Sequence, residues 1–390
     1  HPDPHPVIDF RRLSGQLAGF AVYRREEDTR HATRLARACE TLGDCAEWEA
    51  LTARAEAATN GPLRALPTTD PRGCHTAPPR PPTVTVVATD GSQIFPDRHV
   101  EPACYLLNVG RVALHYGTLD PPLISAEPTL RYRQQDLDSL TEDDDPTSAP
   151  DFTAEVVSAL RDELELRWLF DTAFDERRSG RPIVALADGT LIRWMLRGMK
   201  NRNLEDTLIA RYVAELDRFK EAGIPVASFV SRPGNAEVVN LLRLHRDEPD
   251  WDVLPDSLRG LLDRHVFERT LAPGQRSALF LSRSKVLDQY GPHRIAAFYV
   301  HLGGEVGRVE MPLWATEQPG WVDLVHAVVL DQAEKGGGYP IVLQEAHQRA
   351  VVRSEETEIF HRILARTVRA AGGNVPTYSG KAASKRAPRV

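Results

Sequence analysis

The sequence predicts an α/β or α+β fold, a sheet with helices packed on it, preceded by an N-terminal helical extension. Three observations carry this. Val84-Thr85-Val86-Val87-Ala88-Thr89 and Ile183-Val184-Ala185-Leu186-Ala187 are apolar runs of buried-strand length. Each ends in a carboxylate and a glycine, as Asp90-Gly91-Ser92 and Asp188-Gly189-Thr190. Helix-like stretches then alternate with further strand-like ones through the rest of the chain.

Taken in order, Phe10 to Asn60 is rich in Ala, Leu, Arg and Glu and reads as helix. Pro67 to Pro82 is a linker whose prolines (Pro71, Pro78, Pro79, Pro81, Pro82) forbid helix. The first Asp-Gly strand follows, then strand-like sequence at 102–116. Asp136 to Pro150 is acidic and loop-like. Thr153 to Arg178 is a long helix that Ser179-Gly180 stops, and the second Asp-Gly strand comes next. Glu205–Ala222 is helix, Ile224–Val230 strand and Asn235–His245 helix. Strands return at 277–282, 294–301 and 306–312, and helices close the chain at 320–335 and 340–371. From Gly380 the tail is basic and is expected to be disordered.

Composition bounds the function. The chain has 390 residues, 42% hydrophobic and 26% charged, which suits a globular protein with a large core. No apolar run reaches the ~18 residues of a membrane helix, and the first residues hold no apolar signal segment. Cys39, Cys45, Cys74 and Cys104 lack metal-ligand spacing and fit a reducing cytoplasm. A net charge of −7 means that any nucleic-acid binding needs locally basic surface. An Asp at the end of a core strand is rigidly held, and the following glycine lets a ligand come close. Two such ends side by side make a hard-oxygen site for a divalent cation.

The paired strings resemble the two Asp-Gly-Ser-type motifs of the NurA nucleases. Further stretches resemble the family in the same order. Glu163-Leu164-Glu165-Leu166 lies on the helix before the second Asp strand, where the family carries a catalytic Glu. Val226-Ala227-Ser228-Phe229-Val230-Ser231-Arg232-Pro233 matches a strand ending in a Ser-Arg turn. Phe298-Tyr299-Val300 with Arg308-Val309-Glu310-Met311-Pro312, and Tyr339-Pro340 with Ala346-His347, complete the set. The resemblance covers about residues 80–370. It departs at Thr190, where Ser is commoner, and in the loops at 117–150 and 246–275, which match nothing distinctive.

The resemblance implies an RNase H-like mixed sheet with flanking helices. The nuclease domain then spans 79–375, between the helical extension and linker at 1–78 and the tail at 376–390. It also implies a carboxylate cluster binding two divalent ions, usually manganese, with magnesium as the substitute. The implied activity is single-strand endonuclease and 5′→3′ exonuclease on single- and double-stranded DNA. The implied partners are a second copy, as a homodimer, and a HerA-type hexameric helicase.

The candidate ligands are Asp90, Asp188, a helix glutamate and His347. Asp-Gly alone is a common hairpin turn, but the family order points to metal ligation. Glu163 and Glu165 leave the helix on opposite flanks of its apolar face, and the Leu-Glu-Leu setting favours Glu165. His347 binds metal or carries a proton. Tyr339 orients a water or holds the scissile phosphate; the alternative is a packing aromatic at the helix entry. Ser92, Gln93, Thr190 and Arg232 are candidates to line DNA, although the hydroxyls can instead bond their own turn. Lys200 and Arg202, with Arg193 and Arg197, form a basic patch for phosphates or a solvated helix face.

Two rivals remain. Asp188-Gly189-Thr190-Leu191 resembles the haloacid dehalogenase phosphatase motif, but Leu186 stands where that family needs its nucleophilic Asp. The other is a non-catalytic DNA-binding adaptor of a helicase, against which the intact Asp, Glu, Asp and His set argues.

Overall fold

The computed structural model describes residues 10–95, 104–132, 154–197, 202–248 and 257–373. The acidic stretch at 136–150, Lys200 and the tail at 376–390 lie outside the described residues.

The strands are β1 (Leu66–Pro67), β2 (Cys74–Thr76), β3 (Val84–Ile94), β4 (Tyr105–Tyr116), β5 (Leu123–Arg131), β6 (Ile183–Asp188), β7 (Val226–Val230), β8 (Gln275–Ser277), β9 (Phe280–Leu281), β10 (Ile295–His301) and β11 (Val306–Pro312). They form one mixed sheet in the order β1-β9-β10-β11-β7-β6-β3-β4-β5, with β8 pairing β2 and β10 to the side. β3, β4 and β5 form an antiparallel meander, and β6 and β7 then add in parallel beside β3. This is the RNase H-like mixed sheet expected.

The helices are α1 (Phe10–Gly43), α2 (Trp48–Ala57), α3 (Ala154–Glu176), α4 (Arg202–Ala222), α5 (Glu237–His245), α6 (Asp263–Thr270), α7 (Leu313–Thr316), α8 (Trp321–Lys335), α9 (Ile341–Ala350) and α10 (Ser354–Ala370). Parallel neighbours need a crossover, and α3 and α4 supply the ones into β6 and β7. α3 lies on β3 and β6, and α9 lies on β3 and β4. Leu164, Leu166 and Leu169 of α3 are buried in the main core with Val86, Val184, Val342 and Ala346. Each such side chain contributes about 1.5–3 kcal/mol of burial. A second apolar cluster joins Ala38, Leu42 and Leu51 of α1 and α2 to α5, α6 and β10.

The structure departs from the sequence reading at several places. The proline-rich stretch is no free linker: Leu66–Pro67 pairs with β9, and Cys74–Thr76 with β8. The N-terminal helix breaks at 44–47, and the closing one at 351–353. Two elements fall where only loops were expected, β5 and α6. β5 holds an interior Pro128, which its place at the sheet edge tolerates. Asp90 does not end its strand either. β3 runs on to Ile94, and Gly91 pairs with Val109 rather than making a turn.

Candidate active site

The site forms where β3 and β6 run side by side. Thr89 is in register with Ala187, so the next residues along the two strands are Asp90 and Asp188. Two close approaches then bring a helix from each face of the sheet. A Cβ on Gly91 would lie 2.3 Å from Glu165 Oε1 and 2.7 Å from Arg161 Cγ, so glycine leaves room for these two side chains of α3 over the strand. Gly110 faces Asp90 across the β3–β4 ladder. A Cβ on Gly110 would lie 2.3 Å from the Ala346 carbonyl oxygen, so this glycine admits α9.

Glu165 and Glu163 are separated by their surroundings. Glu163 is buried and paired with Arg167 at 2.5 Å and Arg211 at 2.7 Å, which ties α3 to α4. Glu165 instead lies over Gly91 at the end of the paired Asp strands, and the Thr89 hydroxyl donates to its backbone carbonyl at 2.9 Å. Burial, then the nearby charges of Asp162 and Asp90, push the Glu165 carboxyl up to about 8. Glu165, Asp188 and Asp162 share a crevice with Thr89, Arg193 and Tyr212.

Asp188 ends β6, and the turn after it is a true glycine turn, with Gly189 at φ 74°. Glu310 of β11 fixes that turn. It is 2% exposed and accepts from the Thr190 hydroxyl at 2.8 Å, the Leu191 N–H at 2.9 Å and Arg308 Nε at 2.9 Å. The Tyr339 hydroxyl donates to Asp188 Oδ1 at 2.5 Å, and the ring stands edge-on to Phe229. Burial raises the Asp188 carboxyl, the Tyr339 bond opposes this, and Asp90 adds to the rise. The Tyr339 phenol is pushed well above its usual range by burial and by Asp188.

His347, one residue beyond the contact at Gly110, is exposed, and its Nδ1 lies 2.6 Å from Asp90 Oδ2. The structure thus brings together Asp90, Glu165, Asp188, Tyr339 and His347. The three carboxylates and the imidazole are the donors that could hold a divalent cation. Among the described residues no three such groups are arranged as a finished cage. His347 engages Asp90 and Tyr339 donates to Asp188, while Glu165 Oε1 lies 2.9 Å from Arg161 Nε as an ion pair without a hydrogen bond.

The other expected residues separate. Ser92 donates to the Ala350 carbonyl, so its hydroxyl anchors the end of α9. Thr190 is committed to Glu310. Arg193 leaves the basic patch: it is buried, bonded to Asp162 at 2.9 Å and stacked on Tyr212. Arg202 is exposed at the start of α4, and Lys200 lies outside the described residues. Arg232 is exposed just past β7 with φ 45°, a left-handed backbone unusual for a side chain of its size. Arg264 bonds its carbonyl at 2.8 Å. Leu186 is fully buried and apolar, which removes the phosphatase reading. Arg161 and Glu310 drew no site role from the sequence. For Arg161 the signal was the i, i+4 spacing to Glu165.

Comparison with known proteins bears on the family and the fold. No curated protein matches the sequence. The structure of the NurA nuclease from Sulfolobus solfataricus is similar, with 16% identity and a TM-score of 0.50, over 91% of this chain and 98% of that one. A second structure, of NurA, gives 13% identity and a TM-score of 0.33, over 74% and 90% of the two chains. The NurA domain matches residues 84–352, which include all five of the clustered residues. The chain belongs to the NurA family.

Proposed function

We propose that this protein is a manganese-dependent deoxyribonuclease, with magnesium as the substitute ion. The observation that carries the reading is the meeting of Asp90, Glu165 and Asp188 beside His347 and Tyr339 at one edge of the parallel strand pair. Burial above all raises the Glu165 and Asp188 carboxyls, and the charge of Asp90 adds to the rise of each. An all-oxygen set with one imidazole suits a hard divalent cation. When bound there, the ion supplies Lewis acidity and charge neutralisation for phosphodiester hydrolysis.

The chain's own groups do the rest. Asp90, Glu165 and Asp188 hold the ion, with His347 as a further ligand or as the proton carrier. Nδ1 of His347 is engaged by Asp90, so Nε2 is the nitrogen left to accept or return a proton. Tyr339 holds Asp188 in one orientation through its hydroxyl. Arg232 and Arg202, both exposed, bind the DNA backbone, together with Lys200.

Family membership and the name of the Sulfolobus relative support a nuclease; from the sequence resemblance we read its substrate as DNA, cut endonucleolytically in single strands and 5′→3′ from ends. On the same reading the protein is a cytoplasmic homodimer that works in DNA-end resection and repair with a HerA-type helicase. No helix among the described residues is long and apolar enough to cross a membrane.

The test is cleavage of labelled single-stranded DNA with manganese, with and without EDTA. Asp90→Ala and Asp188→Ala are expected to stay folded and lose cleavage. Full activity in folded Asp188→Ala, or activity that survives EDTA, overturns the reading. DNA binding without any cleavage returns the adaptor.

A further inference from the structure

Arg161, partly buried, lies against the carboxylate cluster. Its stem lies on Gly91, beside Asp90. Nη1 donates to Gln93 Oε1 at 2.9 Å, and Nη2 to Asp162 Oδ1 at 3.0 Å. Nε faces Glu165 Oε1 at 2.9 Å, yet neither atom finds a hydrogen-bond partner, although both are buried. The contact is Coulombic, without the alignment of a hydrogen bond. Leaving a buried carboxylate oxygen without a hydrogen bond is costly.

An oxygen that is neutralised but not bonded is open to another partner, and Glu163 Oε2 beside Arg211 is a second such oxygen. Of the two, Glu165 Oε1 is the one that lies over Gly91, next to Asp90. We propose that Arg161 is a tethered counter-ion, holding the Asp90–Glu165 pair until a divalent cation displaces it from Glu165. This rests on the metal reading of the site. Arg161 is then a positioning residue that sets how tightly the ion binds. It stabilises the metal-free cluster, and it repels the incoming charge at close range. A unit charge a few ångströms from a divalent ion, at the dielectric of a partly exposed site, weakens binding by about tenfold or more.

The test is a manganese titration of four forms, each first shown to be folded by circular dichroism and thermal melting: wild type, Arg161→Gln, Arg161→Lys and Asp90→Asn. Binding is read from the free-ion electron paramagnetic resonance signal. Arg161→Gln is expected to bind manganese about tenfold tighter than wild type, to melt lower without metal and to gain more from its addition. Arg161→Lys keeps the charge and is expected to stay within about threefold of wild type. A folded Arg161→Gln that binds manganese no tighter than wild type overturns the proposal while leaving the metal site standing. Wild type that binds no better than Asp90→Asn overturns the metal reading and the proposal with it. If Arg161→Gln does not fold, a magnesium titration of wild type reads the same exchange through the Arg161 Nε–H resonance. A shift that saturates with the ion supports displacement, and a stationary signal refutes it.

Discussion

Replacing Gly91 by Ala tests whether the site depends on the close approach of α3. The new Cβ would meet Glu165 Oε1 at 2.3 Å, Arg161 Cγ at 2.7 Å and Arg161 Cδ at 3.0 Å. All three are side-chain atoms, so they must withdraw by roughly 1 Å to reach ordinary contact, and the helix backbone can stay. The stability cost is then that of modest overpacking, about 1–3 kcal/mol. The activity cost is larger, because moving a ligand by about 1 Å from its working position loses on the order of 100-fold in rate. Gly110→Ala is the control. There the Cβ would strike backbone, the Ala346 carbonyl at 2.3 Å and the Ala350 nitrogen at 2.7 Å, so α9 itself must shift. Gly110→Ala is expected to be the less stable of the two. Urea unfolding gives the stabilities, and cleavage of labelled DNA with manganese, below both midpoints, gives the rates. A folded Gly91→Ala that cleaves at the wild-type rate refutes the reasoning.

Three further outcomes follow from the same geometry. Glu165→Gln is expected to abolish cleavage, whereas Glu163→Gln keeps it and loses about 1–2 kcal/mol from its half-exposed ion pairs; equal loss of activity in both refutes the assignment. Tyr339→Phe deletes the bond to Asp188 and is expected to slow cleavage by about 10–100-fold with an unchanged circular dichroism spectrum. A wild-type rate in that variant would make Tyr339 a packing aromatic. Without metal, Glu165 keeps its proton in the folded chain up to about pH 8, while the unfolded chain loses it near 4.5. Folding then takes up a proton between those values, so this contribution is full below pH 4.5 and is lost as pH rises through 8. It amounts to at most about 5 kcal/mol, and Asp188 acts in the same direction. The melting temperature of metal-free protein is expected to fall across that range, less steeply in Glu165→Gln; parallel curves for the two forms contradict the assignment.

What was legible in the sequence was what periodicity and local chemistry encode. The apolar runs before Asp90 and Asp188 announced two core strands, and their parallel pairing makes the two carboxylates neighbours. The choice of Glu165 over Glu163 came from the resemblance. The structure adds a reason that no local pattern holds, since the partners of Glu163 include Arg211, 48 residues away. The two Asp-Gly pairs look alike in sequence and differ in space. Gly189 supplies a left-handed turn, whereas Gly91 stays in a strand and clears room for the Glu165 and Arg161 side chains. β5 was missed because Pro128 masks its alternation, and only its edge position makes that proline acceptable. Arg193 was misread as surface charge because its partners, Asp162 and Tyr212, come from two other helices.

The bond between His347 and Asp90 joins residues 257 positions apart. A ribosome adding about 5–20 residues per second needs roughly 10–50 s to cover that interval. Throughout it, a nascent chain carries Asp90 with no imidazole to meet. Asp188 likewise waits some 150 residues for Tyr339. On the nuclease reading proposed above, the site therefore stays unassembled until synthesis has passed α9, and this edge is among the last parts of the domain to close.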